Sequence, residues 1–494
     1  MAQQFKICAN ISIPKKWIRF IIIEYGLHIA LKKLHFGIQQ KKDRIMDENE
    51  FDVFVIGSGI AGQTVAKACI EEGMKVAIAD NREFGGTCAN RGCDPKKILL
   101  GALEAYELSE NLKGKGIDKV AKVNWKQLQK FKKKFTAKIP VSTEQNLKEK
   151  GIKLYHQSPE FLDENTLLVE GKKIVAKKII IATGQVPRKL EISGAKHFKN
   201  SDDFLNLKKL PKQIVFVGGG YIGMEFAHMA ARAGAKVTVL DTGKRPLHAF
   251  DADLVSELKK YSESLGINFI FEANPTKLEK KRKNYTLTYE INGEETLIEA
   301  RVIFNTAGRV PALEGLNLEK GNVDFDESGV TTNNYLQSTS NTNVYACGDV
   351  SDKNLPLTPL SGRQGYVVAE NIINGNKKVL EVPVIPSVVF TLPNLATVGY
   401  SEDEARNRYK NIRVNYQVAT DWFNAKRINA PLYAYKVIIN DRTGEVVGAH
   451  ILGPDAGETI NIFAMIINNK MTDRDIKSTI FSYPSWVNDV KSMV

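Results

Sequence analysis

Apolar residues open the legible part of the chain as short runs, each followed by a glycine loop and then by a helical stretch. The run Phe51 to Ile56 reads as a strand, Gly57-Ser-Gly59-Ile-Ala-Gly62 as a loop, and Gln63 to Glu72 as a helix. A second strand, Lys75 to Ala79, stops at Asp80. The order then recurs. Gln213 to Val217 reads as a strand, Gly218-Gly-Gly220-Tyr221-Ile222-Gly223 as a loop, Met224 to Ala233 as a helix, and Lys236 to Leu240 as a strand stopping at Asp241.

Strand, glycine loop, helix and distal acid together make a phosphate cradle. The first glycine permits the tight turn, and the second lets backbone approach a pyrophosphate. The third lets helix and strand pack closely, while the acid bonds a ribose hydroxyl. Two such units predict two dinucleotides, the pair that flavin-to-nicotinamide electron transfer requires. Asp241 would repel a ribose 2′-phosphate, which favours NADH, although Lys244 and Arg245 follow closely and could soften that repulsion.

A chain of 494 residues predicts two to four compact units. The formal charge of +13 is uneven, for residues 1–46 alone hold nine basic and two acidic side chains. That leader reads as a targeting peptide, an interfacial helix or a non-native extension. Its apolar stretch, Trp17 to Leu34, is too interrupted by Arg19, Glu24, His28, Lys32 and Lys33 to predict a stable membrane span. No basic and aromatic surface motif for single-stranded nucleic acid stands out, so no nucleic-acid partner is expected. Five cysteines, at 8, 69, 88, 93 and 347, are too few and scattered for a secreted disulfide framework and predict a cytoplasmic location.

After Asp80 comes Glu83-Phe-Gly-Gly86-Thr87-Cys88-Ala-Asn-Arg-Gly92-Cys93-Asp-Pro95-Lys96-Lys97. Cysteines five apart on an ideal helix have Cα atoms roughly 8–9 Å apart, too far for a disulfide. A distorted turn at Gly92 is therefore expected if they pair, and a thiol at a helix start has the depressed pKa that disulfide exchange needs. Read plainly, the pair could also be small core residues; a zinc site fits less well, because no second Cys or His pair completes four ligands.

The segment resembles the redox-active disulfide motif of the pyridine nucleotide-disulfide oxidoreductases, the family of glutathione reductase, dihydrolipoamide dehydrogenase and mercuric reductase. That resemblance implies an α/β fold with FAD- and NAD(P)-binding Rossmann-like domains and a C-terminal α+β dimerisation domain. The implied boundaries are 47–194 and 301–378 for FAD, 195–300 for NAD(P) and 379–494 for the interface, after the 1–46 extension. It makes Cys93 the flavin-proximal thiol, Cys88 the outer thiol that attacks substrate, and Lys96 with Glu225 an ion pair near the flavin. Tyr221 stands where the family carries an aromatic lid. Ile181-Ala-Thr183-Gly184 and Asn305-Thr-Ala-Gly308-Arg309 resemble the crossover segments. Val344-Tyr-Ala-Cys-Gly348-Asp349 resembles the second FAD motif, with Thr358 beyond it and Cys347 a buried, inert thiol. Gly86, Thr87 and Lys97 join the implied cofactor contacts. A homodimer is implied, each C-terminal domain completing the partner's site.

The likeness fails at one position that matters. The family's His-Pro dipeptide, with Glu five residues after the His, is replaced by Tyr483-Pro484 and Asn488. A tyrosine near pKa 10 mainly donates a proton, whereas a histidine near 6.5 exchanges one both ways. Tyr483 is either a proton or hydrogen-bond donor or an interface packing residue. No second cysteine pair precedes Val494, so terminal thiols are not expected. Two enzyme readings follow: a disulfide reductase using NADH and FAD on a small-molecule acceptor, or a diaphorase, that is a quinone or metal-ion reductase, in which the flavin serves the acceptor directly. A non-catalytic flavin-binding protein is the third reading.

Overall fold

The first strand, β1 (Glu50–Ile56), runs parallel to β2 (Val76–Ala79), with Val53 opposite Val76 and Ile56 opposite Ala79. Both are almost entirely buried, as strands covered by helices on both faces must be. Their sheet has the order Lys153–Tyr155, β2, β1, Lys172–Ile181, Thr166–Val169, Glu160–Phe161, and Val344–Ala346 adds to the Lys172–Ile181 strand. This computed structural model describes residues 48–353 and 355–494; the readings made above for residues 1–46 lie outside them.

Helix α1 (Ile60–Glu71) starts inside the glycine loop rather than after it, because Gly62 occupies its first turn. A Cβ there would lie 2.0 Å from the Gly57 carbonyl oxygen, so the close helix–strand contact demands glycine. Two further helices, α2 (Gly86–Arg91) and α3 (Cys93–Asn111), follow β2.

A second, all-parallel sheet has the order Ile267–Ile270, Lys236–Leu240, Gln213–Val217, Val302–Asn305. Its helix α4 (Tyr221–Arg232) again begins within the loop, and α5 (Ala252–Ser264) follows the Lys236–Leu240 strand. An antiparallel three-stranded sheet over residues 274–300 packs beside it. The pairing of Arg309–Pro311 with Gln185–Pro187 joins the two crossover segments. Helix α6 (Thr358–Asn374) lies on α1 so closely that a Cβ at Gly365 would stand 2.6 Å from the Ala61 carbonyl oxygen.

From Ser387 a five-stranded antiparallel sheet takes over, two of its strands (Ala434–Asn440 and Val446–Gly453) wholly buried. The helices Ala456–Asn468 and Trp486–Met493 cover it, around a core that includes Tyr433, Phe463 and Trp486. The architecture is α/β, two Rossmann-like sheets followed by an α+β unit, as the sequence predicted.

Candidate active site

A broken helix brings the two thiols together. At Gly92, between α2 and α3, φ is −136° and ψ −112°, which continues neither helix. A Cβ at this position would come within 2.9 Å of the Thr87 carbonyl oxygen and 3.2 Å of the Cys88 Cα. Cys88, on α2, and Cys93, the first residue of α3, thereby come within hydrogen-bond reach of each other.

The electrostatics of the pair are lopsided. A hydrogen bond from Cys88 is the main cause that draws the Cys93 thiol down to about 6; Thr358 and the Lys96 ammonium add to it, against burial and Asp94. That same bond, followed by burial, pushes the Cys88 thiol far up. The two groups share one proton: Cys88 holds it and donates toward the Cys93 thiolate. Thr358, the first residue of α6, sits 3.7 Å from the Cys93 sulfur and also bonds Cys88, a contact the sequence did not reveal across 265 residues. After reduction, the rate of thiol alkylation should rise with pH through a midpoint near 6, because the thiolate exists above that value and is lost as pH falls through it. A stopped-flow alkylation profile checks this, and a midpoint near the ordinary thiol value would refute it.

Lys96, one turn into α3, is bound to Glu225 on α4, its Nζ 2.9 Å from the carboxylate. By plain composition both would be solvated surface charges, yet Glu225 is only 3% exposed. The pairing is satisfied further by the Phe390 backbone N–H, 2.9 Å from Glu225 Oε1. The Phe390 ring lies 4.7 Å from the Lys96 ammonium and 4.5 Å from that of Lys97. Lys97 also pairs with Glu104 on the exposed side of α3, 3.2 Å away.

Both glycine loops fit a pyrophosphate. Gly57 has φ of +110°, and a Cβ on it would meet the Ala182 carbonyl oxygen at 2.2 Å, whereas one on Gly59 or Gly220 would point into open space. Gly86 comes so near that its Cβ would lie 2.5 Å from the Gly59 Cα. Beside this cradle the Thr183 hydroxyl is buried and, among the described residues, has no protein partner, as an atom reserved for a ligand would be. In the second loop Gly218 has φ of +108°, and Gly223 repeats the contact of Gly62, its Cβ falling 2.0 Å from the Gly218 carbonyl oxygen. Gly184 and Gly308, in the crossover segments, also have positive φ. Asp349 accepts a hydrogen bond from Ser361 of α6, and the Gly348 N–H is held by Gln364.

The two acids do more than the motif suggested. Asp80 accepts from the Ser58 backbone and hydroxyl at 2.8 and 2.6 Å and from the Arg82 N–H, bracing the first loop. Asp241 likewise takes the Gly219 and Gly243 N–H groups. His248, absent from the sequence reading, stands 3.5 Å from Asp241, while the Arg245 guanidinium turns to the Leu247 and His248 carbonyls. Arg309 donates to the Gln185 carbonyl. Tyr221 is 40% exposed with its ring edge-on to Phe250, and Ile222 follows it half-buried. Tyr483 is 70% exposed, its ring 6.2 Å from that of Phe423. Cys69 and Cys347 are fully buried, and burial pushes each thiol up to about 12.

Residues 51–365 match the family model described as pyridine nucleotide-disulphide oxidoreductase, and residues 385–494 match its dimerisation domain. The chain belongs to this family. It is 31% identical to a glutathione reductase from a Nostoc species, with 90% of this chain and 99% of that protein covered. A dihydrolipoyl dehydrogenase from Staphylococcus aureus is 32% identical, covering 88% and 94%. A mercuric reductase from Staphylococcus aureus is 30% identical, covering 90% and 82%. Among solved structures, the HOCl-induced flavoprotein disulfide reductase RclA from Escherichia coli superposes with a TM-score of 0.80 at 26% identity, over 90% of this chain and 99% of that one. The chain is therefore an oxidoreductase of the flavoprotein disulfide reductase type, in a family that uses FAD and pyridine nucleotides and forms homodimers. Among the described residues no helix is long and apolar enough to cross a membrane, and no cluster of His, Cys, Asp and Glu suits a metal ion.

Proposed function

We propose that the protein is an NADH-dependent disulfide reductase that passes electrons by way of FAD to the Cys88–Cys93 pair and from Cys88 to a disulfide or related small acceptor. The observation that carries this reading is the break at Gly92 that sets Cys88 and Cys93 within hydrogen-bond reach, with Thr358 3.7 Å from the Cys93 sulfur and Lys96 one turn further on. Gly57, Gly59, Gly62, Asp80, Gly86, Thr87, Thr183, Gly184, Gly348, Asp349 and Thr358 are the residues that would hold FAD, with Lys97 nearby. FAD supplies the two-electron relay between nicotinamide and disulfide. Gly218, Gly220, Tyr221, Ile222, Gly223, Asp241, Gly308 and Arg309 would take the nicotinamide dinucleotide, Asp241 favouring NADH. Cys93 keeps a thiolate at neutral pH, and Cys88 loses its proton as it attacks. That proton leaves with the acceptor's departing thiolate, which balances the exchange; the Cys93 thiolate, drawn down to about 6, is too weak a base to take it. The family's dimer supports a site completed by the partner's C-terminal unit, with Tyr483 facing the thiols.

Anaerobic titration tests this. NADH should raise a long-wavelength absorbance that NADPH raises only at higher concentration, and Cys93→Ser should abolish it; no absorbance with either nucleotide would sink the reading.

Tyr483 favours a second reading, the diaphorase, since a tyrosine stands where the family carries its acid–base histidine. Tyr483→His separates the two. If proton transfer limits disulfide reduction, the variant should gain about tenfold or more in turnover with lipoamide or glutathione disulfide, and a loss with both would make the tyrosine itself the useful donor.

A further inference from the structure

A second ionic contact between α3 and α4 lies outside the machinery just described. Lys96 and Glu107 are three turns apart on α3, and Glu225 and Arg232 two turns apart on α4. Lys96 pairs with Glu225, and the Arg232 guanidinium is bound to Glu107. The polarity of the contact reverses from one end to the other, so no slid register of the two helices satisfies both. The Arg232 side chain is 3% exposed and that of Glu107 12%, and the Tyr261 hydroxyl also bonds Glu107.

His228 lies between the pairs on the same face of α4 and is fully buried. The Ser262 hydroxyl donates to the Leu258 carbonyl at 2.7 Å, so its oxygen is open to accept from His228 Nε2–H at 2.8 Å. Nδ1 faces the Leu392 carbonyl oxygen at 3.1 Å, the Leu392 N–H at 3.3 Å and Arg232 Nη1 at 3.2 Å, so that either tautomer of the ring ties α4 to Leu392. Burial, reinforced by the Arg232 charge, keeps the ring neutral. Arg232 Nη2 also donates to the Leu392 carbonyl at 2.5 Å. Glu225, His228 and Arg232 together therefore fasten Phe390 to Leu392, the strip whose aromatic ring lies against the Lys96 ammonium.

A purely apolar contact could hold two helices as firmly, and often more so; what a buried ion pair adds is register. We propose that Arg232, with Glu107 and His228, is a set of positioning residues that fixes α3 against α4 and the 390–392 strip, and so holds Lys96 where its charge supports the Cys93 thiolate. Lys96 is one turn from Cys93, and its head is located by Glu225 and Phe390, both of which depend on α4. The inference rests on Cys93 being the working thiolate.

The test uses the flavin-loaded enzyme with Cys88→Ser as background, so that a single active-site thiol titrates. The double variant E107Q/R232M removes both charges without stranding either. Its Cys93 alkylation midpoint should rise by about one pH unit, the low end of what an adjacent opposite charge does, and the long-wavelength absorbance should need a correspondingly higher pH. A midpoint equal to that of the background would overturn the proposal, whatever happens to thermal stability. Should the double variant fail to fold, His228→Asn provides the same reading, and an unchanged midpoint there is equally fatal. Cys88→Ser/Cys93→Ser is the control: if fast alkylation persists in it, the thiolate assignment fails, whereas if it vanishes and E107Q/R232M still matches the background, only the positioning idea fails.

Discussion

Cys88→Ser is expected to lower turnover with disulfide acceptors by about a thousandfold or more, the scale of losing a nucleophile, and to leave reduction of an artificial quinone or dye largely intact. A serine hydroxyl keeps the hydrogen bond toward Cys93 but cannot form the mixed disulfide through which exchange proceeds. Cys93→Ser should be as damaging to disulfide turnover and should also remove the thiolate itself. Steady-state assays with one disulfide and one quinone acceptor separate these effects. Equal losses with both acceptors would point to damage at the flavin, and no loss with the disulfide would give the diaphorase reading the field.

Gly57→Val should yield protein nearly devoid of flavin. Two penalties act at this position and can be ranked. Left-handed backbone in a residue with a side chain costs roughly 1–2 kcal/mol, which a large domain could absorb. A Cβ 2.2 Å from the Ala182 carbonyl oxygen is the graver one, because that oxygen belongs to the crossover backbone beside Thr183 and cannot swing aside. Displacing it moves the Thr183 hydroxyl and opens the first loop together. Flavin absorbance per mole of purified protein measures the outcome, and near-full occupancy would show that the loop tolerates the displacement and is no cradle.

The parts of this site that could be read from the sequence are those whose chemistry is local. Each glycine loop carries its strand, turn and helix within one short segment, and the Gly92 break was foreseeable because two cysteines five apart cannot pair on a regular helix. The helix starts were placed late because Gly62 and Gly223 lie in the first turn rather than ahead of it. Long-range pairings were not legible in the same way. Lys96 and Glu225 are 129 residues apart, and in the sequence only the family resemblance pairs them. Nothing near Thr358 announces that its hydroxyl meets a thiol, and nothing near His248 announces that it stands by Asp241. His228 and Arg232 carry no signal in the sequence because their partners come from α3, α5 and the strip before the last sheet.

Burial of Cys69 and Cys347 has a bearing on damage. Of the four cysteines among the described residues, an oxidant meets the exposed Cys93 thiolate with the half-buried, protonated Cys88 beside it, while the other two are sealed and protonated. A sulfenic acid formed on Cys93 has Cys88 at hand to condense with, expelling water and leaving a disulfide, before harsher oxidation can proceed. The injury would then coincide with a state from which the normal catalytic cycle restarts, and repair would require nothing beyond the enzyme's own electron donor.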